Sequence, residues 1–223
     1  MSYLLGIDLG TSGTKTVLFD EEGTVVASAL REYPLYQPQP GWAEQDPLDW
    51  YHAVVDTIRE IIGKKDIDAD AIKGIGISGQ MHGLVMLDKD GAELGRSIIW
   101  CDQRTGEECL EITDRIGAGR LIEITANPAI TGFTASKIVW VQKHLPKIYE
   151  KAAKLLLPKD YIRYKLTGEF ATEVSDASGM QLLDIPNRRW SDEVLEKLNI
   201  DGALLAPVSE SCEVTGKITR QAA

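Results

Sequence analysis

The sequence predicts an α/β fold in which helices flank a mixed β-sheet. Three observations support this prediction. Three β-rich segments follow one another near the N-terminus, helical and strand patterns alternate after them, and the 223 residues are 43% apolar and 26% charged. A chain of this length and composition can bury the core of one large domain or two small ones, which excludes a disordered, collagen-like or disulfide-stapled protein. A meander followed by such alternation favours a layered sheet over a sandwich or a bundle.

The N-terminal third predicts an antiparallel meander and then an amphipathic helix. Residues 21–23 form a tight turn between the second and third strands. Asp46 supplies an N-cap, Pro47 takes the first helical position, and apolar residues recur at helical spacing until Gly63. The three predicted strands cover residues 3–9, 16–20 and 24–33.

The remaining chain predicts alternating strands and helices. Three prolines make residues 33–41 a stiff surface excursion and not a domain boundary. The last ten residues look like a strand giving way to the first turn of a helix, which predicts that the natural protein continues. Strands are expected over residues 72–78, 84–87 and 98–100, and helices over residues 103–117, 134–145 and 159–166.

Charge, hydropathy and cysteine content exclude several classes of function. The chain has 24 Lys and Arg against 34 Asp and Glu, a net charge of −10, and no basic patch with interleaved aromatics, so nucleic acid is not an expected partner. No apolar run approaches the roughly 20 residues that span a bilayer, and the N-terminus lacks a basic leader, which predicts a cytoplasmic protein without a membrane partner. The three cysteines have no metal-binding spacing and are expected to be free thiols.

The first chemical motif is a glycine-rich turn between the first two predicted strands, over residues 6–15. Gly10 and Gly13 are expected to adopt positive φ and to bring backbone N–H groups close to a ligand, while Thr11 and Ser12 add hydroxyl donors. Such a turn can hold phosphate oxygens. The alternative is an ordinary glycine-rich hairpin.

Two charged residues flank this turn. Asp8 ends the first strand, where its carboxylate can hold Mg²⁺ directly or through a water molecule. Lys15 supplies a local positive charge that the acidic chain otherwise lacks. In the alternative interpretation, Asp8 makes only a hydrogen bond within the turn.

The second motif, residues 76–83, lies at the carboxyl end of a predicted strand, where open α/β sheets bind ligands. Glycines on both sides leave room for a small polar molecule. The Gln80 amide and the His82 imidazole can bond to its hydroxyl groups. The alternative is a strand turn in which backbone groups satisfy His82.

The third motif, residues 100–104, also follows a strand. The indole of Trp100 can stack on the C–H face of a sugar, while Asp102 and Arg104 bond to its hydroxyls. The alternative is a core tryptophan followed by Asp102 as a helix N-cap, and both interpretations can hold together. A fourth segment, residues 132–140, predicts a packed helix starting at Thr134, and its residues indicate no chemistry by themselves.

These four segments, in this order and spacing, resemble the FGGY family of carbohydrate kinases. The turn at residues 8–15 looks like the family's first phosphate motif, and Lys137 and Trp140 match fixed positions of its N-terminal signature. The resemblance covers residues 2–216 and implies a ribonuclease H-like fold of the actin, hexokinase and Hsp70 ATPase group. Within the family the segments look most like the kinases of D-xylulose, at residues 42–47, 79–83, 128–140, 156–161 and 166–169.

The resemblance implies ATP-dependent phosphorylation of D-xylulose to D-xylulose 5-phosphate with Mg²⁺. Met81 and His82, with Gln80, would contact the sugar, and for Trp100 and Asp102 this carry-over is weaker. Asp8 would organise Mg²⁺ and the transferred phosphoryl group. Gly10, Thr11, Ser12 and Lys15 would lie beside the β- and γ-phosphates.

One departure concerns the catalytic base. The family takes this base from an Asp in a Gly-Gly-Gly-Asp-like segment of its second domain, and no such segment follows Ile200 here. Residues 1–223 are therefore expected to be an N-terminal sugar-binding domain that lacks its C-terminal nucleotide-binding domain and is inactive alone. Apolar surface exposed by such a half-molecule would favour a homodimer.

Other functions remain as alternatives. The sugar can be ribulose or another ketopentose or polyol, because these differ by one hydroxyl orientation. A non-catalytic sugar-sensing module would lack the base naturally. A chaperone- or actin-like ATPase would share the first turn but gives no reason for the residues at 80–82 and 100–102.

Overall fold

A computed structural model describes residues 2–65 and 67–223 and divides them into two compact units. The first unit runs to Leu35 and resumes over Asp46–Gln80. The second unit comprises Tyr36–Gln45 and Met81–Ala223. The proline-containing segment is therefore more than a surface excursion, because the chain passes from one unit to the other at residue 36. That expectation was wrong, since Tyr36 bonds to Glu44 and supports a short strand of the second unit.

The first unit is built on a four-stranded mixed sheet, as expected. β1, β2 and β3 form the predicted antiparallel meander, and a fourth strand lies parallel to β1 on its other side. β2 begins three residues before the predicted start because Gly13 already pairs with Glu32. The strands are β1 (Tyr3–Leu9), β2 (Gly13–Phe19), β3 (Val25–Glu32) and β5 (Ile72–Gly79), while β4 (Glu44–Gln45) belongs to the second unit.

One helix, α1 (Pro47–Lys65), packs against β2 and β3. Trp50 and Val54 are fully buried on its apolar face, and the hydroxyls of Thr16 and Thr57 bond across the buried contact at 2.7 Å. The helix continues two residues past Gly63, where the sequence predicted its end. A helical glycine costs only about 1 kcal/mol, which the packed apolar face outweighs.

The second unit combines short strand pairs with seven helices in the part of the chain that is described. Its strands pair as β4 with β7 (Ser97–Ile98), β6 (Val85–Leu87) with β8 (Lys154–Leu156), β9 (Thr172–Glu173) with β12 (Val208–Ser209), and β10 (Leu183–Asp184) with β11 (Arg189–Trp190). Its helices are α2 (Gly106–Ile116), α3 (Ala118–Thr125), α4 (Thr134–His144), α5 (Pro146–Tyr149), α6 (Pro158–Thr167), α7 (Val174–Ser178) and α8 (Asp192–Leu198).

A single apolar cluster holds the second unit together. Ile112 of α2, Ile138 of α4 and Val194 of α8 are each fully buried in it. The helices predicted at 134–145 and 159–166 are confirmed, whereas α3, α5, α7 and α8 were not predicted. No helix in the described ranges is both long and apolar enough to cross a membrane.

Three local predictions were wrong. The strand expected over residues 98–100 covers only Ser97–Ile98, and Trp100 lies in a turn. The helix expected from residue 103 begins at Gly106, with Thr105 at the N-cap position, so Asp102 is not a helix cap. Residues 214–219 form neither strand nor helix, and a final turn closes where the amide of Ala223 bonds to Thr219.

Candidate functional site

The glycine-rich turn is a tight hairpin between β1 and β2. The Gly10 amide donates to the Gly13 carbonyl at 3.1 Å, and the Tyr33 hydroxyl donates to the Gly10 carbonyl. Neither glycine has a positive φ, so that expectation was wrong. Gly13 is required instead by a close approach, since a Cβ there would lie 2.5 Å from the Arg31 carbonyl oxygen of β3.

A Gly13→Ala substitution is therefore expected to lower the free energy of unfolding by about 1–3 kcal/mol, the cost of forcing extra volume into a packed contact. Urea unfolding measures the difference. Gly63→Ala is the control, because a Cβ there meets nothing within 4 Å and should stabilise α1 by roughly 0.5–1 kcal/mol. A Gly13→Ala variant as stable as the wild type would contradict the assigned close approach.

Asp8 and Lys15 are brought together beside this turn. They are direct partners in the register of β1 and β2, and both side chains are exposed on one face of the sheet. With Gly76 and Ser78 of β5 they line a cleft in the first unit. Burial raises the pKa of the Tyr33 hydroxyl, and the nearby Asp8 carboxylate raises it further. The cleft therefore combines one carboxylate and one ammonium group with an open, glycine-lined floor.

Asp8 can take part in binding Mg²⁺. No group of three or more His, Cys, Asp or Glu side chains is arranged to hold a metal in the ranges 2–65 and 67–223. Mg²⁺ does not need such a group, because it usually keeps several waters and is held by one or two carboxylates together with substrate phosphates. An exposed carboxylate beside a glycine-rich turn fits this mode of binding.

Gln80 belongs to the first unit and His82 to the second. The backbone amide of Gln80 donates to the Leu9 carbonyl at 2.7 Å, which continues the pairing of β5 with β1. Gly79 is required there, because a Cβ would lie 2.8 Å from the Leu9 Cβ. In the second unit, the side chain of Met81 is about half exposed.

His82 occupies a restricted position in the second unit. Its φ is 68°, its ring centroid lies 4.4 Å from that of Phe133, and its carbonyl accepts a bond from the Thr134 hydroxyl at 3.1 Å. Burial lowers the pKa of His82 to about 4, and the positive charge of Lys137 acts in the same direction. The imidazole is therefore neutral at pH 7. Its Nδ1 atom is buried against Gly179, so Nε2 is the nitrogen that can donate to or accept from a hydroxyl ligand.

Trp100 and Asp102 differ sharply in accessibility. The side chain of Trp100 is 46% exposed, as a stacking surface requires, whereas Asp102 is fully buried. The Oδ2 atom of Asp102 accepts from the Ala43 amide at 2.6 Å, and its Oδ1 atom accepts from the Arg104 amide at 2.9 Å. Both oxygens thus serve internal bonds, and sugar contact by Asp102 stays a prediction.

Arg104 forms the centre of a buried network that the sequence did not predict. Its side chain is 3% exposed, and its Nη2 atom lies 2.7 Å from Asp102 and 2.9 Å from Glu44. Its guanidinium carbon lies 3.6 Å from the ring centroid of Trp42 and 4.9 Å from that of Trp140. We call these five residues the Arg104 cluster. The sequence feature that could have indicated the cluster is the presence of two tryptophans and two acidic residues in the segments that resemble the family.

The burial of Lys137 was also not predicted, although this residue matches a fixed position of the family's N-terminal signature. It is fully buried, and its Nζ donates to the carbonyls of Thr131, Gly132 and Phe133 at 3.2, 2.5 and 3.1 Å. Burial lowers the pKa of Lys137 to about 7, against the opposing charge of Asp102. A lysine among apolar residues of a packed helix was the signal. The ammonium group shapes the loop that presents Phe133 to His82.

Comparisons with known proteins give a consistent result. Residues 3–223 match the N-terminal domain of the FGGY family of carbohydrate kinases. The chain is 41% identical to a xylulose kinase of Bacillus subtilis and 42% identical to one of Klebsiella pneumoniae, in each case over 98% of its length. It spans 44% of the length of each of these relatives.

Solved structures agree with this match. A crystal structure titled as a "xyloylose kinase" from Brucella ovis superposes with a TM-score of 0.94 at 39% identity, covering 98% of this chain and 46% of that one. A glycerol kinase of Plasmodium falciparum with ADP superposes with a TM-score of 0.91 at 25% identity, covering 100% and 45%. The predicted fold class is confirmed by these neighbours.

Proposed function

Because the chain belongs to the FGGY family of carbohydrate kinases, we propose that it is the sugar-binding N-terminal part of a kinase that phosphorylates D-xylulose. The observation that carries the proposal is its identity of 41–42% to proteins named xylulose kinase over 98% of the chain. The product would be D-xylulose 5-phosphate.

The first unit would hold the phosphate groups. Gly10, Thr11 and Ser12 would lie beside the β- and γ-phosphates, and Lys15 would add positive charge near them. Asp8 would bind Mg²⁺ directly or through water. When bound, ATP and Mg²⁺ supply the transferable phosphoryl group and neutralise its developing charge.

The second unit would hold the sugar. A neutral His82 can donate a hydrogen bond to one hydroxyl or accept one from it, and Met81 offers an apolar contact beside it. Trp100 would stack on the sugar's C–H face. Gln80 and Asp102 are the other two residues proposed to bind the substrate. The base that takes the hydroxyl proton would come from a part of the enzyme beyond residues 1–223, so this chain is proposed to be inactive alone.

Sugar binding by the 223-residue chain tests the first half of the proposal. Titration calorimetry with D-xylulose, D-ribulose and glycerol should detect binding of D-xylulose. His82→Ala should weaken the affinity of the chain for D-xylulose about tenfold, because one or two hydrogen bonds are lost. His52→Ala is the control, because His52 is exposed on α1. Preferred binding of ribulose or glycerol, or full affinity in His82→Ala, would contradict the proposed sugar or residue.

Kinase activity tests the second half. The chain alone should release no ADP in the presence of ATP and D-xylulose. A protein that joins residues 1–223 to the remaining C-terminal part of the Bacillus subtilis relative, called the joined protein below, should be active. Robust sugar-dependent ADP release by the homogeneous chain would overturn the proposed absence of the base. A joined protein that folds and binds ATP and sugar without transfer would favour a sugar-sensing module.

A further inference from the structure

Gly179 lies at the end of α7, directly against the imidazole of His82. We infer that Gly179 is a positioning residue that fixes the orientation of this imidazole, and that buried Lys159 holds α7 in the place this contact requires. Only the consequence for sugar affinity rests on the proposed function. The positioning itself concerns atoms within the second unit and can be measured without any ligand.

The contact explains why residue 179 is glycine. A Cβ built there would lie under 3.0 Å from both Cε1 and Nδ1 of His82, closer than real Cβ contacts come. The backbone of Gly179 has φ −83° and ψ −1°, which any L-residue can adopt. Backbone conformation therefore does not require glycine at this position. Glycine is required because the imidazole of His82 occupies the space that a Cβ would take.

Other residues confine His82 from further sides. The Phe133 ring packs against the imidazole at 4.4 Å between centroids, and the Thr134 hydroxyl bonds to the His82 carbonyl. The residue after His82 is also confined, because a Cβ on Gly83 would lie 2.6 Å from Cγ of Pro158 at the start of α6. The start of α6 therefore contacts Gly83, and the residue that follows α7 contacts His82, its neighbour in the same loop.

A buried charge cluster ties α6 to α7. The Nζ atom of Lys159 lies 2.8 Å from Asp160 on its own helix, and 3.3 Å from both Glu173 and Asp176 at the start of α7. The side chain of Lys159 is only 10% exposed. An ammonium group held this way fixes the separation of the two helix ends, because withdrawing it would leave three carboxylates facing one another.

The cluster also connects to the end of α7 that carries Gly179. Glu173 caps the helix by accepting from the amides of Ser175 and Asp176 at 2.8 and 2.9 Å. The Gly179 amide then donates to the Asp176 carbonyl at 3.0 Å. Hydrogen bonds from Ser211 and from the α7 amides lower the pKa of Glu173 to about 2 despite its burial. Glu173 is therefore ionised at neutral pH and available to Lys159.

Gly179→Ala tests the inference. The added methyl group should displace the imidazole and weaken D-xylulose binding about tenfold. The pKa of His82 should rise from about 4 towards its ordinary value near 6.5, because the loss of burial, the largest cause of the low pKa, outweighs the loss of the hydrogen bond with the Gly179 backbone. Histidine NMR titration measures the pKa directly, since the chain has only three histidines. Gly106→Ala is the matched control, because a Cβ there meets nothing within 4 Å.

A double substitution keeps the test valid if Gly179→Ala does not fold. With the imidazole removed, the clash disappears. Gly179→Ala should therefore lower the free energy of unfolding in the wild type and leave it unchanged in His82→Ala. Equal effects in both backgrounds, or an unchanged His82 pKa in Gly179→Ala, would overturn the role of Gly179. If the wild type binds no sugar, the proposed function fails while the pKa measurement still decides the positioning.

Lys159→Met tests the second part of the inference. Loss of the ammonium group should loosen α7 and shift the His82 pKa in the same direction as Gly179→Ala, and Lys159→Arg should restore part of the wild-type value. A folded Lys159→Met variant with an unchanged His82 pKa would overturn the role of Lys159. If Lys159→Met does not fold, a His82 pKa between those of the wild type and Gly179→Ala is expected in Lys159→Arg, and an unchanged pKa would overturn that role.

Discussion

Asp8→Asn in the joined protein is expected to lower kcat by roughly 10²–10³-fold, because a neutral side chain would bind less tightly the Mg²⁺ that neutralises the negative charge of the transition state. The substitution keeps the shape of the side chain and removes its negative charge. Because Asp8 is exposed at the end of β1, folding should be nearly unaffected. Coupled ADP release at saturating D-xylulose measures kcat.

The Mg²⁺ dependence of the same variant separates metal binding from a general loss of structure. If Asp8 holds the ion, the concentration of Mg²⁺ needed for half-maximal activity should rise as kcat falls. Asp114→Asn is the matched control, because Asp114 is an exposed residue of α2 and should leave both quantities unchanged. An Asp8→Asn enzyme with wild-type kcat and Mg²⁺ dependence would contradict the proposed role.

Arg104→Met is expected to lower the free energy of unfolding by about 3–5 kcal/mol, which is typical when one partner of a buried ion pair is removed. Methionine retains much of the apolar packing against Trp42 and Trp140. It leaves the fully buried Asp102 carboxylate with the backbone amides of residues 43 and 104 but without the guanidinium group. Urea unfolding followed by tryptophan fluorescence measures the change in the second unit.

Arg188→Met is the control for this prediction. Arg188 pairs with Glu210 at the surface, with side chains 54% and 48% exposed, and such pairs contribute about 0–1 kcal/mol. An additional Asp102→Asn substitution should recover part of the stability lost in Arg104→Met, because the unpaired charge is then removed. A change below about 1 kcal/mol in Arg104→Met would show that the cluster does not hold the unit together.

Much of the fold could be predicted from local patterns. The meander, α1, α4 and α6 follow from alternation, helical periodicity, caps and prolines, all of which are properties of neighbouring residues. The missed helices α3, α5, α7 and α8 are eight, four, five and seven residues long, too short to show a clear period. The strand expected at 98–100 covers only Ser97–Ile98, because β7 pairs with the two residues of β4 and its further bridge, to Leu84, is also made by Ile98.

The sequence by itself determined the fold class, because strand alternation and glycine-rich turns are local properties. It also placed Asp8 and Lys15 beside the turn between the first two strands, and His82 in the loop that follows β5. Only the tertiary structure decided which polar groups face inward. Asp102 bonds to Ala43, 59 residues away, and His82 is confined by Gly179 and Phe133. Burial and pairing depend on such distant contacts, and the pKa values of His82 and Lys137 follow from them.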